Sequence, residues 1–301
     1  MKYSSVIECG MLRSRRRFLK ETAAFGAVAG LTTALGVGQA LAHHPLTFGL
    51  TPVFLDSDIQ LMSDMTNYFS AQVNHKVTPV KRRTYQEITS LLLSGGLNAA
   101  WICGFPYVQY RERIKLLAVP LYQGAPLYRS YLIVNEDSSA QTVADLRGTS
   151  HAFSDPNSNS GYLVTFHQLY EMKESPASFF SDTMFTYSHR NVIRAVSSGL
   201  TQSGSVDGYV WDVMAKNQPE LITGTRVIRK SEPMGFPPIA CNADLSDDVM
   251  VEDIAEALIG MSSDPLGQKI LSALHLDGFV RADPSLYDGI ADKYREVKDF
   301  L

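Results

Sequence analysis

The sequence predicts an α/β protein of two lobes, each a sheet covered by helices, with two segments crossing between them. Short apolar runs alternate with segments whose apolar residues recur every three or four positions. The strand-helix-strand-helix-strand order near the start of this pattern is typical of a parallel sheet. Residues 128–135 and 228–240 resemble crossings, the second with a Ser-Glu-Pro-Met-Gly-Phe-Pro-Pro core. A chain of 301 residues that is 45% hydrophobic is long enough for this architecture.

The first lobe begins with alternating strands and helices. Thr84 and Glu87 have the spacing of a capping box, which predicts a helix start, and Gly95 can end that helix. The spacing of the apolar residues between 59 and 69 predicts another helix, which precedes the one at Thr84. The predicted strands are Leu46–Leu50, Val77–Lys81, Asn98–Cys103 and Leu116–Leu121.

The second lobe repeats the alternation. We predict helices near 161–173 and 190–199, and a mostly helical tail from about Asp247. The ligand of such a protein is expected in the cleft between the lobes, near the carboxyl ends of the strands. The predicted strands are Tyr131–Val134, Ser150–Phe153, Met184–Tyr187, Val206–Val210, Thr225–Ile228 and Pro238–Cys241.

The first 42 residues have the pattern of an export signal. Residues 14–20 read Ser-Arg-Arg-Arg-Phe-Leu-Lys, which follows the twin-arginine consensus, and an uncharged stretch then ends in Ala-Leu-Ala. The alternative is a membrane-spanning helix. Cleavage after Ala42 would remove six basic and two acidic residues. The remaining 259 residues would hold 21 basic and 29 acidic residues, a net charge of −8, and we expect a periplasmic protein.

Composition excludes several functional classes. The whole chain has a net charge of −4, which argues against general nucleic-acid binding. Three cysteines cannot form a disulfide framework, although Cys103 and Cys241 could pair with each other. The sequence has no nucleophile elbow, phosphate-binding loop or zincin motif, and its histidines lack zinc spacing. We therefore expect no enzymatic activity, metal or cofactor.

The polar stretch 154–163 is the most informative part of the chain. It follows a predicted strand and opens a helix, and it carries the hydroxyls of Ser154, Ser158 and Ser160. The first N–H groups of a helix lack internal partners and carry partial positive charge, so an oxyanion can bind there. The alternative is an ordinary helix cap in a polar loop.

Other candidates lie beside predicted strands. His189 could donate to the same anion or be a surface helix cap, and Asp207 could bind a ligand amine or be a turn residue. Cys103 ends a strand, where it could contact a thiophilic ligand or be a small buried residue. Tyr107 and Tyr85 could line the cleft from the first lobe.

Together these segments resemble the phosphate/phosphite/phosphonate-binding (PhnD-like) family of periplasmic proteins of ABC transporters. The resemblance covers residues 46–280, roughly. It is carried by Asp155-Pro156-x-Ser158-x-Ser160-Gly161-Tyr162-Leu163, Ser188-His189, Val206-Asp207-Gly208, Tyr128-x-Ser130-Tyr131-Leu132-Ile133-Val134 and Asp145-Leu146-Arg147-Gly148.

The resemblance implies a type II periplasmic-binding-protein fold, with residues 43–130 plus 236–301 in one lobe and 131–235 in the other. It implies delivery of a small oxyanion to an ABC permease by closure of the cleft. Ser158, Asn159 and Ser160 would hold the anion. His189 would add a donor, and Tyr107 and Tyr85 would line the other lobe.

The loop that contains Cys103 departs from this pattern and is similar to that of arsenite-sensing relatives. The alternative function is therefore an arsenite or oxyanion sensor that signals to a membrane histidine kinase. A remote alternative is an enzyme with Cys103 as nucleophile and His189 or Asp207 as base.

Overall fold

The computed structural model describes residues 45–51 and 59–301, so the predicted signal peptide lies outside the described residues. Several predicted strands are confirmed, and three of them, Leu46–Leu50, Val77–Lys81 and Ser150–Phe153, have the predicted bounds at both ends. The strands are β1 (Leu46–Leu50), β2 (Val77–Lys81), β3 (Ala99–Trp101), β4 (Ile114–Leu121), β5 (Leu127–Tyr128), β6 (Ser130–Asn135), β7 (Ser150–Phe153), β8 (Asp182–Phe185), β9 (Ser203–Asp207), β10 (Thr225–Lys230), β11 (Met234–Gly235), β12 (Ile239–Asn242) and β13 (Gly278–Val280).

Helices connect and cover these strands. A π-helical turn, Asn159–Leu163, runs directly into the fourth α-helix. The α-helices are α1 (Ile59–Gln72), α2 (Tyr85–Leu93), α3 (Gly104–Gln109), α4 (Val164–Glu171), α5 (Pro176–Phe179), α6 (His189–Ser197), α7 (Gly208–Asn217), α8 (Pro219–Ile222), α9 (Val249–Gly260), α10 (Pro265–Leu274) and α11 (Asp288–Val297).

The strands form two main sheets, and we call the parts of the chain built on them the first and second lobes. The sheet of the first lobe has the order β13-β4-β12-β3-β1-β2, and that of the second has the order β10-β6-β9-β7-β8. The pairs β1/β2, β1/β3, β7/β8 and β7/β9 are parallel, as the alternating pattern predicted. Their carboxyl ends therefore lie at one edge of each sheet.

The chain passes between the sheets twice. It leaves β4 and enters β6 through β5, and it leaves β10 and enters β12 through β11. The short strands β5 and β11 pair with each other, Met234 opposite Tyr128, so the two crossing segments are bonded together. No helix within 45–51 and 59–301 has the length and apolar character needed to cross a membrane.

The capping box predicted at Thr84 is present. The Thr84 hydroxyl accepts from the backbone N–H of Glu87, and the Glu87 carboxylate accepts from the backbone N–H of Thr84. Gly95 follows this helix with a φ of 73°, a conformation that favours glycine. Local sequence chemistry therefore sets both ends of α2.

Three predicted strands extend beyond the observed strand ends. The strand predicted at Val206–Val210 is β9, which ends at Asp207 because the Asp207 carboxylate caps α7 by accepting from Tyr209 N–H. The strand predicted to end at Tyr187 is β8, which ends at Phe185. Tyr187 has a φ of 56°, which a strand cannot contain. The strand predicted to reach Cys103 ends at Trp101, and the helix α3 follows.

Candidate functional site

The helix that begins at Asn159 starts between the two lobes. Ser158 is its N-cap, and the Ser158 hydroxyl accepts from Gly161 N–H at 3.0 Å. Ser158, Asn159 and Ser160 are all almost fully buried. The predicted anion-binding segment is therefore a helix N-terminus enclosed by protein, where the helix dipole and a low dielectric act together.

Cys103 approaches this helix start from the first lobe. Its Sγ accepts a hydrogen bond from the backbone N–H of Asn159, with N and S 3.2 Å apart. Burial raises the pKa of the Cys103 thiol to about 12, so the thiol is neutral at physiological pH. Cys103 and Cys241 are both buried free thiols, so the pair considered from the sequence is not bonded in this structure.

The side chain of Asn159 is held by the crossing segments. Its Nδ2 donates to the hydroxyl of Tyr128 at 2.9 Å and contacts Sδ of Met234 at 3.4 Å. Its Oδ1 is buried without a hydrogen-bond partner among the described residues. The buried hydroxyl of Ser154 also has no hydrogen-bond partner among the described residues. Buried polar atoms usually have partners, so these two atoms could bind a ligand.

A second chain of hydrogen bonds links His189, Asp207 and Tyr85. The backbone N–H of Asp207 donates to Nδ1 of His189 at 3.0 Å. Burial lowers the pKa of His189 to about 3, so the ring is neutral. In a neutral ring with Nδ1 as acceptor, Nε2 carries the proton. It donates across the cleft to the Tyr85 hydroxyl at 3.2 Å, which leaves the Tyr85 proton available to another acceptor.

Asp155 joins the lobes at the same place. One of its carboxylate oxygens accepts from the backbone N–H of Tyr85 at 3.2 Å, and the other accepts from Asn157 N–H at 2.8 Å. Tyr85 is the first residue of α2, so a carboxylate of the second lobe lies at the N-terminus of a first-lobe helix. Charge and dipole favour this contact.

The site carries carboxyl groups but no bonded cation. Burial raises the pKa of Asp207 to about 7 and also raises the pKa of Asp155. In the described part of the chain, no lysine or arginine is hydrogen-bonded to Cys103, Asn159 or His189. Neutral donors must therefore supply the attraction for an anion. The same part of the chain contains no cluster of three His, Cys, Asp or Glu side chains that could hold a metal ion.

The structure brings most of the predicted residues together, and Tyr107 is the exception. The ring of Tyr107 packs against Tyr287 with centroids 4.7 Å apart, within the first lobe. The charged groups that influence its pKa, which burial raises, are Arg111, Asp283 and Asp288. Those that influence Tyr85 instead include Asp155 and Asp207. The Tyr107 hydroxyl thus faces a different environment from the cluster around Asn159.

Sequence reasoning missed two members of the cluster. Tyr128 and Asp155 both belong to segments that carry the family resemblance, but the sequence pattern assigns neither residue a role in the site. Tyr128 is buried, and its hydroxyl faces Asn159. An Asp-Pro pair directly after a strand was a signal for Asp155, but its partner Tyr85 is 70 positions away.

The arrangement does not contain the pair needed for the enzyme alternative. Both ring nitrogens of His189 are engaged, one by Asp207 N–H and one by Tyr85. The Asp207 carboxylate accepts from Tyr209 and Val210 N–H. Among the residues that the structure describes, neither His189 nor Asp207 is hydrogen-bonded to the Cys103 thiol, as a nucleophile and its base would be.

Comparison with known proteins identifies the family. A family model described as the periplasmic substrate-binding protein of phosphonate ABC transporters matches residues 48–287. A phosphonates-binding periplasmic protein of Escherichia coli (strain K12) is 24% identical over 237 residues. These are 74% of this chain and 69% of that protein.

Solved structures share the fold. PhnD1 from Prochlorococcus marinus in complex with methylphosphonate has a TM-score of 0.75 at 18% identity, covering 85% of this chain and 98% of that one. A binding-protein component of an ABC phosphonate transporter from Pseudomonas aeruginosa has a TM-score of 0.76 at 21% identity, covering 84% and 87%. The fold is that of type II periplasmic binding proteins. The chain belongs to the family of periplasmic substrate-binding proteins of phosphonate ABC transporters.

Proposed function

We propose that this protein binds a small phosphonate in the cleft at the start of the Asn159 helix and delivers it to an ABC permease. The observation that carries the proposal is the enclosed helix N-terminus, whose first N–H donates to Cys103. A thiol sulfur is a weak acceptor. An anionic oxygen is a stronger one, so a phosphonate oxygen would take this N–H in place of the sulfur.

Two tyrosine hydroxyls would complete the oxyanion site. The Tyr85 oxygen accepts from His189, and the Tyr128 oxygen accepts from Asn159, so each O–H is available to donate to the ligand. Ser158 and Ser160 would contribute at the helix start. Hydrogen bonds to charged groups are worth about 1.5–3 kcal/mol each. Several of them support micromolar binding, about −8 kcal/mol, after the costs of ordering and desolvation.

Closure of the lobes would accompany binding. We propose that residues 43–130 plus 236–301 move against residues 131–235. The hydrogen bonds that join Tyr85 to Asp155 and to His189 would form only when the lobes meet. A ligand that contacts both sides of the cleft binds the closed state more tightly and shifts the population toward it.

The test is a calorimetric titration of the purified protein with methylphosphonate, phosphite, phosphate, sulfate and arsenate. We expect at least one phosphorus oxyanion to bind with micromolar affinity, and Ser160→Ala or His189→Ala to weaken it. Tyr85→Phe and Tyr128→Phe should each weaken binding at least tenfold, whereas Tyr107→Phe, a matched loss of a hydroxyl, should change it less than threefold. Failure of every anion to bind would refute the proposal.

The sensor alternative rests on Cys103 alone. The thiol lies at the helix start, but its pKa of about 12 means that it does not present a thiolate. Soft metal and arsenic ligation requires the deprotonated sulfur. The alternative predicts that arsenite binds and that Cys103→Ser abolishes this binding. If arsenite shows no binding to the wild-type protein in the titration, the sensor alternative is excluded and phosphonate transport is left as the function.

Export through the twin-arginine route is part of the proposal. The Ser14–Lys20 motif supports it, and residues 1–42 would then be removed. Replacing Arg15 and Arg16 together by Lys should prevent export of the protein fused to a periplasmic reporter. The control replaces Arg13, outside the consensus, by Lys.

A further inference from the structure

A separate cavity lies against the crossing segments. It has a volume of about 400 Å³, enough for a small molecule. It lies where β5 enters β6 and where β10 leads toward β11, next to the start of α7. Its wall includes Tyr122, Tyr128, Arg129, Tyr131, Asp212 and Lys230.

The negative charge in this cavity is the carboxylate of Asp212, which accepts hydrogen bonds from two tyrosine hydroxyls. One carboxylate oxygen of Asp212, Oδ2, accepts from the hydroxyl of Tyr122 at 3.2 Å and from that of Tyr131 at 3.1 Å. The other oxygen, Oδ1, receives no hydrogen bond from a described residue. Tyr122 follows β4 of the first lobe and Asp212 lies in α7 of the second, so this contact spans the lobes.

The positive charges in the cavity are not paired with Asp212. The Lys230 ammonium lies 4.4 Å from the ring centroid of Tyr131, and the Arg129 guanidinium donates to the carbonyl of Ser231. Neither cation forms a salt bridge with any residue in the described ranges, and neither does Asp212. One anion and two cations thus line the same small space without pairing.

We propose that this cavity binds a small zwitterion that carries an ammonium and a carboxylate. The ammonium would bind Oδ1 of Asp212 and the adjacent tyrosine faces, which attract cations. The carboxylate would bind Lys230 and Arg129. A zwitterion matches both signs of charge on the wall, whereas a ligand of single charge leaves one sign unmatched.

This site is distinct from the oxyanion cleft. Tyr128 is shared, since it lines the cavity and its hydroxyl also accepts from Asn159. The charged groups that define the cavity, Asp212 and Lys230, form no hydrogen bond with Asn159, His189 or Cys103. We therefore expect a zwitterion and a phosphonate to bind at the same time.

The experiment titrates the wild-type protein with glycine, β-alanine and γ-aminobutyrate, which differ in charge separation, and with ethylammonium and acetate as singly charged controls. At least one zwitterion should bind tenfold more tightly than both controls, with or without saturating methylphosphonate. Asp212→Asn and Lys230→Met should each weaken it at least tenfold. Lys230 is exposed, so its variant tests the site even where Asp212→Asn does not fold.

The matched controls are Asp299→Asn and Lys298→Met, which change the same residue types at an exposed helix end and should have no effect. The proposal is overturned if no zwitterion surpasses the controls or if its affinity survives both cavity variants. Displacement of the zwitterion by methylphosphonate would also overturn it, because the molecule would then occupy the oxyanion cleft. Ser160→Ala weakens only methylphosphonate, so failure of the proposed function remains distinguishable.

Discussion

Gly161→Ala tests whether the start of the Asn159 helix is packed as tightly as the site requires. A Cβ at this position would lie 1.9 Å from Oγ of Ser154, 2.8 Å from its Cβ and 3.0 Å from Cε1 of His189. Gly161 is not among the glycines with positive φ, so the side chain adds no backbone strain. Any effect therefore comes from displacement of Ser154, of His189 or of the helix.

Overpacking of this kind costs about 1–3 kcal/mol of unfolding free energy. The same displacement would alter the His189 to Tyr85 bond, which is already 3.2 Å long. A displaced Tyr85 hydroxyl would lose its charge-assisted hydrogen bond to the phosphonate, about 1.5–3 kcal/mol, which corresponds to a decrease in methylphosphonate affinity of about ten- to 150-fold. Gly260→Ala is the matched control, because a Cβ there has no atom within 4 Å and Ala favours the helix.

Urea unfolding and calorimetric titration of both variants provide the measurements. We expect Gly161→Ala to lose both stability and affinity, and Gly260→Ala to lose neither. Methylphosphonate affinity within twofold of wild type in the Gly161 variant would refute the reasoning. A Cβ 1.9 Å from Oγ of Ser154 must displace atoms at this helix start, so a binding site there would have to change.

Three further predictions concern the buried titratable groups. The folded state holds the Asp207 proton up to about pH 7, whereas the unfolded chain releases it near 3.8. The raised pKa of Asp207 therefore contributes fully to the free energy of unfolding below about pH 4, and this contribution is lost as pH rises to 7. Asp207→Asn keeps a side chain that can cap the helix but removes the titrating group. In urea unfolding, the free energy of unfolding of the variant should therefore rise by ~1–4 kcal/mol relative to that of wild type between pH 4 and 8. A difference between the two proteins that does not change with pH would contradict this. Asp155→Asn replaces a charged acceptor by a neutral one. It should weaken methylphosphonate binding about fivefold in calorimetry, whereas the surface cap variant Asp145→Asn should not. His189 should appear in NMR as a neutral ring protonated at Nε2 from pH 5 to 8, and a titration near pH 6.5 would show that it is not buried.

Local sequence signals predicted the parts of the fold that local chemistry determines. The capping box at Thr84 and the apolar runs of β1 and β2 were sufficient because each depends on neighbouring residues. The start of β9 was missed because its first residues, Ser203 to Ser205, are small. Gly204 allows Val192 of α6 to pack close, since a Cβ there would lie 2.5 Å from Cγ1 of Val192.

The candidate site was predictable in its helix start and less so in its partners. Ser158 caps the helix through Gly161, three residues away, so the pattern was visible. The contacts of Asp155 with Tyr85 and of Tyr128 with Asn159 join positions 70 and 31 residues apart. Sequence periodicity gives no information on such pairs, because they depend on how the lobes meet.

The most direct test of the central claim is a crystal structure of the mature protein with methylphosphonate. We predict one phosphonate oxygen within hydrogen-bond distance of Asn159 N, and others within reach of the Tyr85 and Tyr128 hydroxyls. Methylphosphonate bound elsewhere, with the Asn159 N–H still donating to Cys103 Sγ, would contradict the account.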